Sequence, residues 1–126
     1  MISTVSLVAL GGAIGASLRY LVGLGMIRLI GITAFPLPII TVNILGSFMM
    51  GVFVVAAAQK GLTHLSPLVM TGMLGGFTTF SSFSLETVNL IERGQIGTAA
   101  TYVALSVGLS IGGLMLGLWF ARGIFV

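Results

Sequence analysis

Gly72-Met-Leu-Gly-Gly-Phe-Thr-Thr-Phe-Ser-Ser-Phe-Ser84 lies inside an apolar segment of the chain, where it makes a poor uninterrupted helix. Paired glycines followed by paired threonines are weak helix formers, since a glycine alone costs about 1 kcal/mol relative to alanine. The segment around the passage runs from about residue 66 to residue 90, long enough to cross a bilayer, so Gly75 to Thr79 fall near its middle. A helix broken at that depth exposes backbone carbonyls, which is tolerated only where protein, ions or a watery cavity satisfy them. Two readings follow: a broken membrane helix of the kind used to build ion sites, or a Gly/Ser/Thr-rich face for close packing.

Composition makes the bilayer the solvent. Of 126 residues, 57% are hydrophobic and 6% charged, against about a quarter charged in a soluble domain. A soluble fold of this length cannot hide so much apolar surface. The 19 glycines suit helices that pack closely in lipid. With no cysteine, disulfides and thiolate metal sites are excluded. Five Lys/Arg against two Asp/Glu are too few and too scattered for a nucleic-acid surface.

Outward from the passage, the chain divides into four apolar segments, at about residues 4–30, 37–58, 66–90 and 97–120. They read as a single four-helix transmembrane domain over residues 1–126, an all-α membrane protein whose third helix is broken at mid-membrane. The first segment has no basic leader and no convincing cleavage site, so it is expected to be a retained helix. Pro36 and Pro38 separate the first two segments, and Ser66-Pro67 reads as an N-cap followed by a first helical residue.

With four spans, Lys60 and Arg122 fall on one side of the membrane and Arg28 and Arg93 on the other. That balance leaves no positive-inside bias, so the chain is open to insertion in both orientations. Oppositely oriented copies can pair about a two-fold axis in the membrane plane, and four helices make a thin bundle, so an antiparallel homodimer is expected.

Several side chains are candidates for chemistry. Arg19 lies within the first segment, where a charge in hydrocarbon costs about 2.5–3.5 kcal/mol on the insertion scale. It either draws anions toward a pore or anchors a helix end by snorkelling. The small residues Gly11, Gly12, Gly15 and Ala16 beside it allow a close helix contact. Asn43 is either interhelical glue or, through its two N–H donors, a ligand for a small anion. Phe80, Phe83, Ser84 and Thr87 follow helical spacing and share a face. Ring edges are electropositive, so the two phenylalanines can face an anion edge-on, with the Ser81 and Ser84 hydroxyls beside them; ordinary core packing fits the same spacing. On the fourth segment Thr98, Tyr102, Ser106 and Ser110 recur every fourth residue as one polar stripe. Glu86 and His64 have no companion at ligand spacing, so a transition-metal site is unsupported. No nucleophile, base and orienting group come together, so an enzyme is not predicted.

At these residues the sequence resembles the bacterial CrcB/Fluc fluoride channels over essentially its whole length. The resemblance rests on Gly11-Gly-x-x-Gly-Ala-x-x-Arg-Tyr20, on Thr41-Val-Asn43 with Gly46, and on Gly75-Gly-Phe-Thr-Thr-Phe-Ser-Ser-Phe-Ser84. Ser82 stands where the family often has Thr, which keeps the hydroxyl. The resemblance implies a dual-topology antiparallel homodimer in a bacterial inner membrane, with two pores that passively release fluoride from the cytoplasm. It implies that Asn43, Phe80 and Phe83 line each pore, with Ser81 and the Tyr102–Ser106–Ser110 stripe donating hydrogen bonds. A structural sodium ion is implied at the dimer two-fold, held by main-chain oxygens of Gly75 and Thr78 from both subunits. Arg19 and Glu86 are then expected near the pore entrances.

Two rival readings use the same helix count. A small multidrug exporter would need a membrane-embedded glutamate in its first helix, where this chain has Arg19, a cation repellent. A non-conducting assembly subunit accounts for the small-residue packing but not for the donor-rich stripes.

Overall fold

The computed structural model describes residues 1–126 and is helical throughout, with no strand. Four helical stretches are long and apolar enough to cross a membrane: Ile2–Ile30, Leu37–Lys60, Thr63–Glu92 and Ile96–Phe125. Helix α1 (Ile2–Ile30) is unbroken past Arg19. Helix α2 (Leu37–Lys60) has Pro38 in its first turn and stops at Gly61, whose left-handed backbone (φ 66°) closes the helix through an N–H donated to Ala57 O. Helix α5 (Ile96–Phe125) is the fourth span.

The third span is assembled from pieces. A 3₁₀ turn at Thr63–Leu65 leads into a π-helical stretch at Pro67–Leu74, followed by the single turn α3 (Gly75–Phe77). Thr78 (φ −85°, ψ 157°) and Thr79 (φ −151°, ψ 121°) are extended, and helix α4 (Phe80–Glu92) then resumes. Ser66 has helical dihedrals and makes no side-chain cap, so the expected N-cap at Ser66-Pro67 is corrected: the chain is already helical there.

The mid-span break is present, but its chemistry differs from the expectation placed on the glycines. Gly75 is helical (φ −62°, ψ −38°), and the chain departs from the helix only at the two threonines. Gly76 serves packing: a Cβ there would lie 2.8 Å from Gly12 O and 3.2 Å from Ala16 N. β-branched threonines suit the extended conformation and lose rotamer freedom in a helix, so the break falls on them.

Glycines set two parallel helix pairs. A Cβ on Gly11 would come 2.8 Å from Met73 N, and one on Gly15 2.9 Å from Phe77 N, so the first and third spans touch backbone to backbone. On the other side, a Cβ on Gly51 would lie 3.0 Å from Leu118 N and one on Gly117 3.1 Å from Val52 N, which locks α2 against α5. Between helices in lipid there is no water to expel, so close van der Waals contact across small residues is what holds them. The outer faces carry apolar side chains such as Leu10, Leu21, Ile111 and Trp119, matching a hydrocarbon surround. A small core of Ile40, Phe83, Leu90, Ala99 and Tyr102 joins α4 to α2 and α5.

Replacing Gly15 with valine is expected to lower the thermal transition in detergent by an amount equivalent to about 1–3 kcal/mol or more, the scale of overpacking. Gly25→Ala has nothing within 4 Å of its new methyl and should be neutral or slightly stabilising. Equal transitions for the two variants would remove the close-contact role given to Gly15.

Candidate functional site

The break is held from α2. Asn43 Nδ2 donates to Thr79 O at 3.0 Å, while Thr79 N–H donates to Asn43 Oδ1 at 2.8 Å. One side-chain amide thus replaces the helical partners that the extended residues lost. Thr79 Oγ1 accepts from Ser82 N–H at 3.1 Å and so caps α4 as well. Ser82 N–H is thereby turned away from the carbonyl four residues back, and the Thr78 carbonyl accepts no hydrogen bond at all. The Thr79 N–H, which an unbroken helix would offer to Gly75 O, goes to Asn43 instead. Carbonyl oxygens are therefore the donor set at the break, and no cluster of His, Cys, Asp or Glu suited to a metal stands anywhere in the chain.

A groove of about 380 Å³ opens beside the break, with Asn43 and Ser47 from α2, Thr78 and Thr79, Phe80 and Phe83 from α4, and Ser106 and Ser110 from α5. Of the two helical faces singled out in the sequence, Phe80 and Phe83 of α4 and Ser106 and Ser110 of α5 reach it, whereas Ser84, Thr87, Thr98 and Tyr102 do not line it. The Phe80 and Phe83 rings lie 5.4 Å apart with a 50° tilt, and Phe83 lies 5.3 Å from Tyr102. Phe83 is buried, whereas Phe80 is 76% exposed on the single chain and projects from the groove. Ser106 is buried, and its Oγ has no hydrogen-bond partner. Tyr102 is fully buried, and its hydroxyl likewise has none. Buried hydroxyls are almost always paired, so two without a partner in the protein, one helical turn apart, stand out.

The remaining candidates lie elsewhere. Ser81 is outside the groove, its Oγ 3.3 Å from Thr79 Oγ1. Ser84 Oγ donates to Phe80 O at 3.0 Å and Thr87 Oγ1 to Phe83 O at 2.8 Å, so both hydroxyl protons are committed within α4. Glu86 faces a separate cavity of about 220 Å³ together with Arg93 and the residues between α1 and α2. Arg19 lines neither cavity; its Nε is buried without a partner, on the α1 face that carries Gly11 and Gly15. Gly75 lies in α3, one turn before the break.

Residues 6–118 match the profile of the family described as CrcB-like protein, Camphor Resistance (CrcB). A relative from Roseobacter denitrificans is 69% identical over 121 residues, covering 95% of this chain and 96% of its own. One from a Ruegeria species is 65% identical over 124 residues, with 98% of each chain covered. One from Paracoccus denitrificans is 49% identical over 118 residues, with 94% of each covered. All three bear the name fluoride-specific ion channel FluC. The chain belongs to the CrcB family.

Its four apolar spans and its bacterial kin make this CrcB protein a multi-pass protein of the bacterial inner membrane. Two polar groove residues escaped the sequence reading. Ser47 follows Asn43 by four residues, so helical spacing alone would have found it. Thr79 precedes Ser82 by three, the spacing of an N-cap to its N3 residue, but the broken span made a helix start hard to locate.

Replacing Asn43 with leucine removes both hydrogen bonds to Thr79 and leaves its N–H and C=O in an apolar setting, at about 1–3 kcal/mol for each unpaired group. The CrcB variant should show faster amide exchange at residues 78–82 and a lower thermal transition. Unchanged exchange at Thr79 would show that Asn43 does not hold the break.

Proposed function

We propose that this protein is a fluoride channel, passively releasing fluoride from the cytoplasm through two pores in an antiparallel homodimer. The observation that carries the reading is the pair of buried, unpartnered hydroxyls, Tyr102 and Ser106, set against the Phe83 ring and the donor-lined groove. Fluoride is small and holds its water strongly, so a selective path must supply donors in place of that shell. Hydroxyls and ring edges do so without a fixed cation that would trap the ion, and conduction needs binding weak enough to release it. Asn43, Phe80, Phe83, Ser106 and Ser110 border the path, Tyr102 donates from behind Phe83, and Ser81 and Ser84 stand at its margin. Arg19 and Glu86 shape the field at its ends.

The names of the relatives support fluoride as the ion. The balanced basic residues of the loops and the exposure of Phe80 on the single chain support a second, inverted copy closing the groove. A sodium ion at the two-fold, held by the Gly75 and Thr78 carbonyls of both subunits, would supply a fixed positive charge that ties the halves together. The unpartnered Thr78 carbonyl and the diverted Thr79 N–H support that role. Hydrogen fluoride enters cells as a neutral acid and ionises in the more alkaline cytoplasm. Passive flow driven by the membrane potential then carries the anion out.

The test is efflux from liposomes containing purified protein, followed with fluoride- and chloride-selective electrodes. Rapid loss of fluoride with chloride retained is the expected result, and retention of both ions would overturn the reading. Ser106→Ala removes one donor to a charged species and should slow fluoride efflux about tenfold or more. Phe80→Ile and Phe83→Ile should each slow it while the protein still elutes as a dimer; undiminished flux in both would return the pair to core packing. Exchanging sodium for a large organic cation during purification should shift the dimer toward monomer on size exclusion. An unaltered elution profile would count against the cation.

A further inference from the structure

Tyr102 presents a particular mechanical problem. Its hydroxyl is buried and bonded to nothing, so no hydrogen bond sets the direction in which it points. Its ring must be aimed by packing alone. Phe83 supplies one wall, 5.3 Å away and tilted by 40°. Phe35 supplies another, with its ring centroid 5.5 Å away and nearly perpendicular at 86°. Phe35 belongs to the short segment joining α1 to α2, outside both helices, yet its position is tightly determined. Its carbonyl accepts from Leu37 N–H at 2.9 Å and also from the Thr33 hydroxyl. The following Pro36 is buried. On its other side the segment borders the cavity shared with Glu86 and Arg93, so Phe35 stands between that cavity and Tyr102.

We propose that Phe35 is a positioning residue for the ion path, a ring packed in T-shaped contact with Tyr102 that, with Phe83, aims the unpartnered Tyr102 hydroxyl. This rests on the channel reading, because the hydroxyl matters only if an anion meets it. Edge-to-face contact is directional, so an aliphatic side chain of similar bulk fills the space without fixing the angle of the ring. The loop between α1 and α2 thereby sets the geometry of a donor carried by α5.

Two measurements test this on the purified protein. With 3-fluorotyrosine incorporated, the fluorine resonances of Tyr102 should report a held ring in the parent protein and an averaged one in Phe35→Leu, with the exposed Tyr20 as internal control. In liposomes, Phe35→Leu should slow fluoride efflux about two- to tenfold, the range set by one aromatic pair, and Phe35→Tyr should restore most of the rate. In a Tyr102→Phe background, Phe35→Leu should add little further loss, since the group it aims is gone. Unchanged Tyr102 resonances in Phe35→Leu, equal losses in the leucine and tyrosine variants, or additive losses with Tyr102→Phe would each overturn the proposal. Failure of the parent protein to conduct fluoride would instead overturn the channel reading, and the resonances would still show whether Phe35 holds the ring.

Discussion

An interrupted backbone inside a membrane must find partners within the protein, and here the Asn43 amide meets most of that demand. Thr78 and Thr79 leave the helix at a depth where water is scarce, and each unpaired backbone group there costs several kcal/mol. Asn43 answers with a donor and an acceptor on a single planar group, which is why an amide stands there and not a hydroxyl or a carboxylate. The site depends on this contact: with Thr79 held, α4 begins at Phe80, and its first turn carries the aromatic pair into the groove.

The glycines do a different job from the one their helix propensity suggests. Gly75 and Gly76 sit within helical backbone, and Gly76 is needed because α1 passes too close for a side chain. Gly12 and Ala16 meet it from α1, where Gly11 and Gly15 lie equally close to Met73 and Phe77, and Gly51 and Gly117 repeat the device between α2 and α5. Tight pairing of the first with the third span, and of the second with the fourth, leaves looser seams between the pairs. The groove lies along one such seam, between α2, α4 and α5. Packing by small residues therefore also decides where the structure is open.

The hydroxyls of α4 and α5 fall into two kinds. Ser84 and Thr87 bond to carbonyls of their own helix, as hydroxyls in membrane helices commonly do, and have no proton left for a ligand. Ser106 and Tyr102 are more deeply buried and make no such bond. The difference between a committed and an uncommitted hydroxyl lies in that one contact, not in residue type or spacing.

Much of this was legible in the residues alone. Composition and four apolar runs determined a helical membrane protein, because hydropathy over about twenty residues is a sum that local order cannot alter. The Gly-Gly-Phe-Thr-Thr-Phe run marked the third span as either interrupted or closely packed, and the structure has both, while four-residue spacing placed Tyr102, Ser106 and Ser110 on one face. Which residues of the run leave the helix was decided only by the fold, since Gly76 answers to the nearness of Gly12 and the threonines to an amide 36 residues away. So was the division of the hydroxyls into bonded and free, which depends on side-chain rotamers and neighbours. Periodicity reports the face a residue occupies; only tertiary packing decides what meets it there.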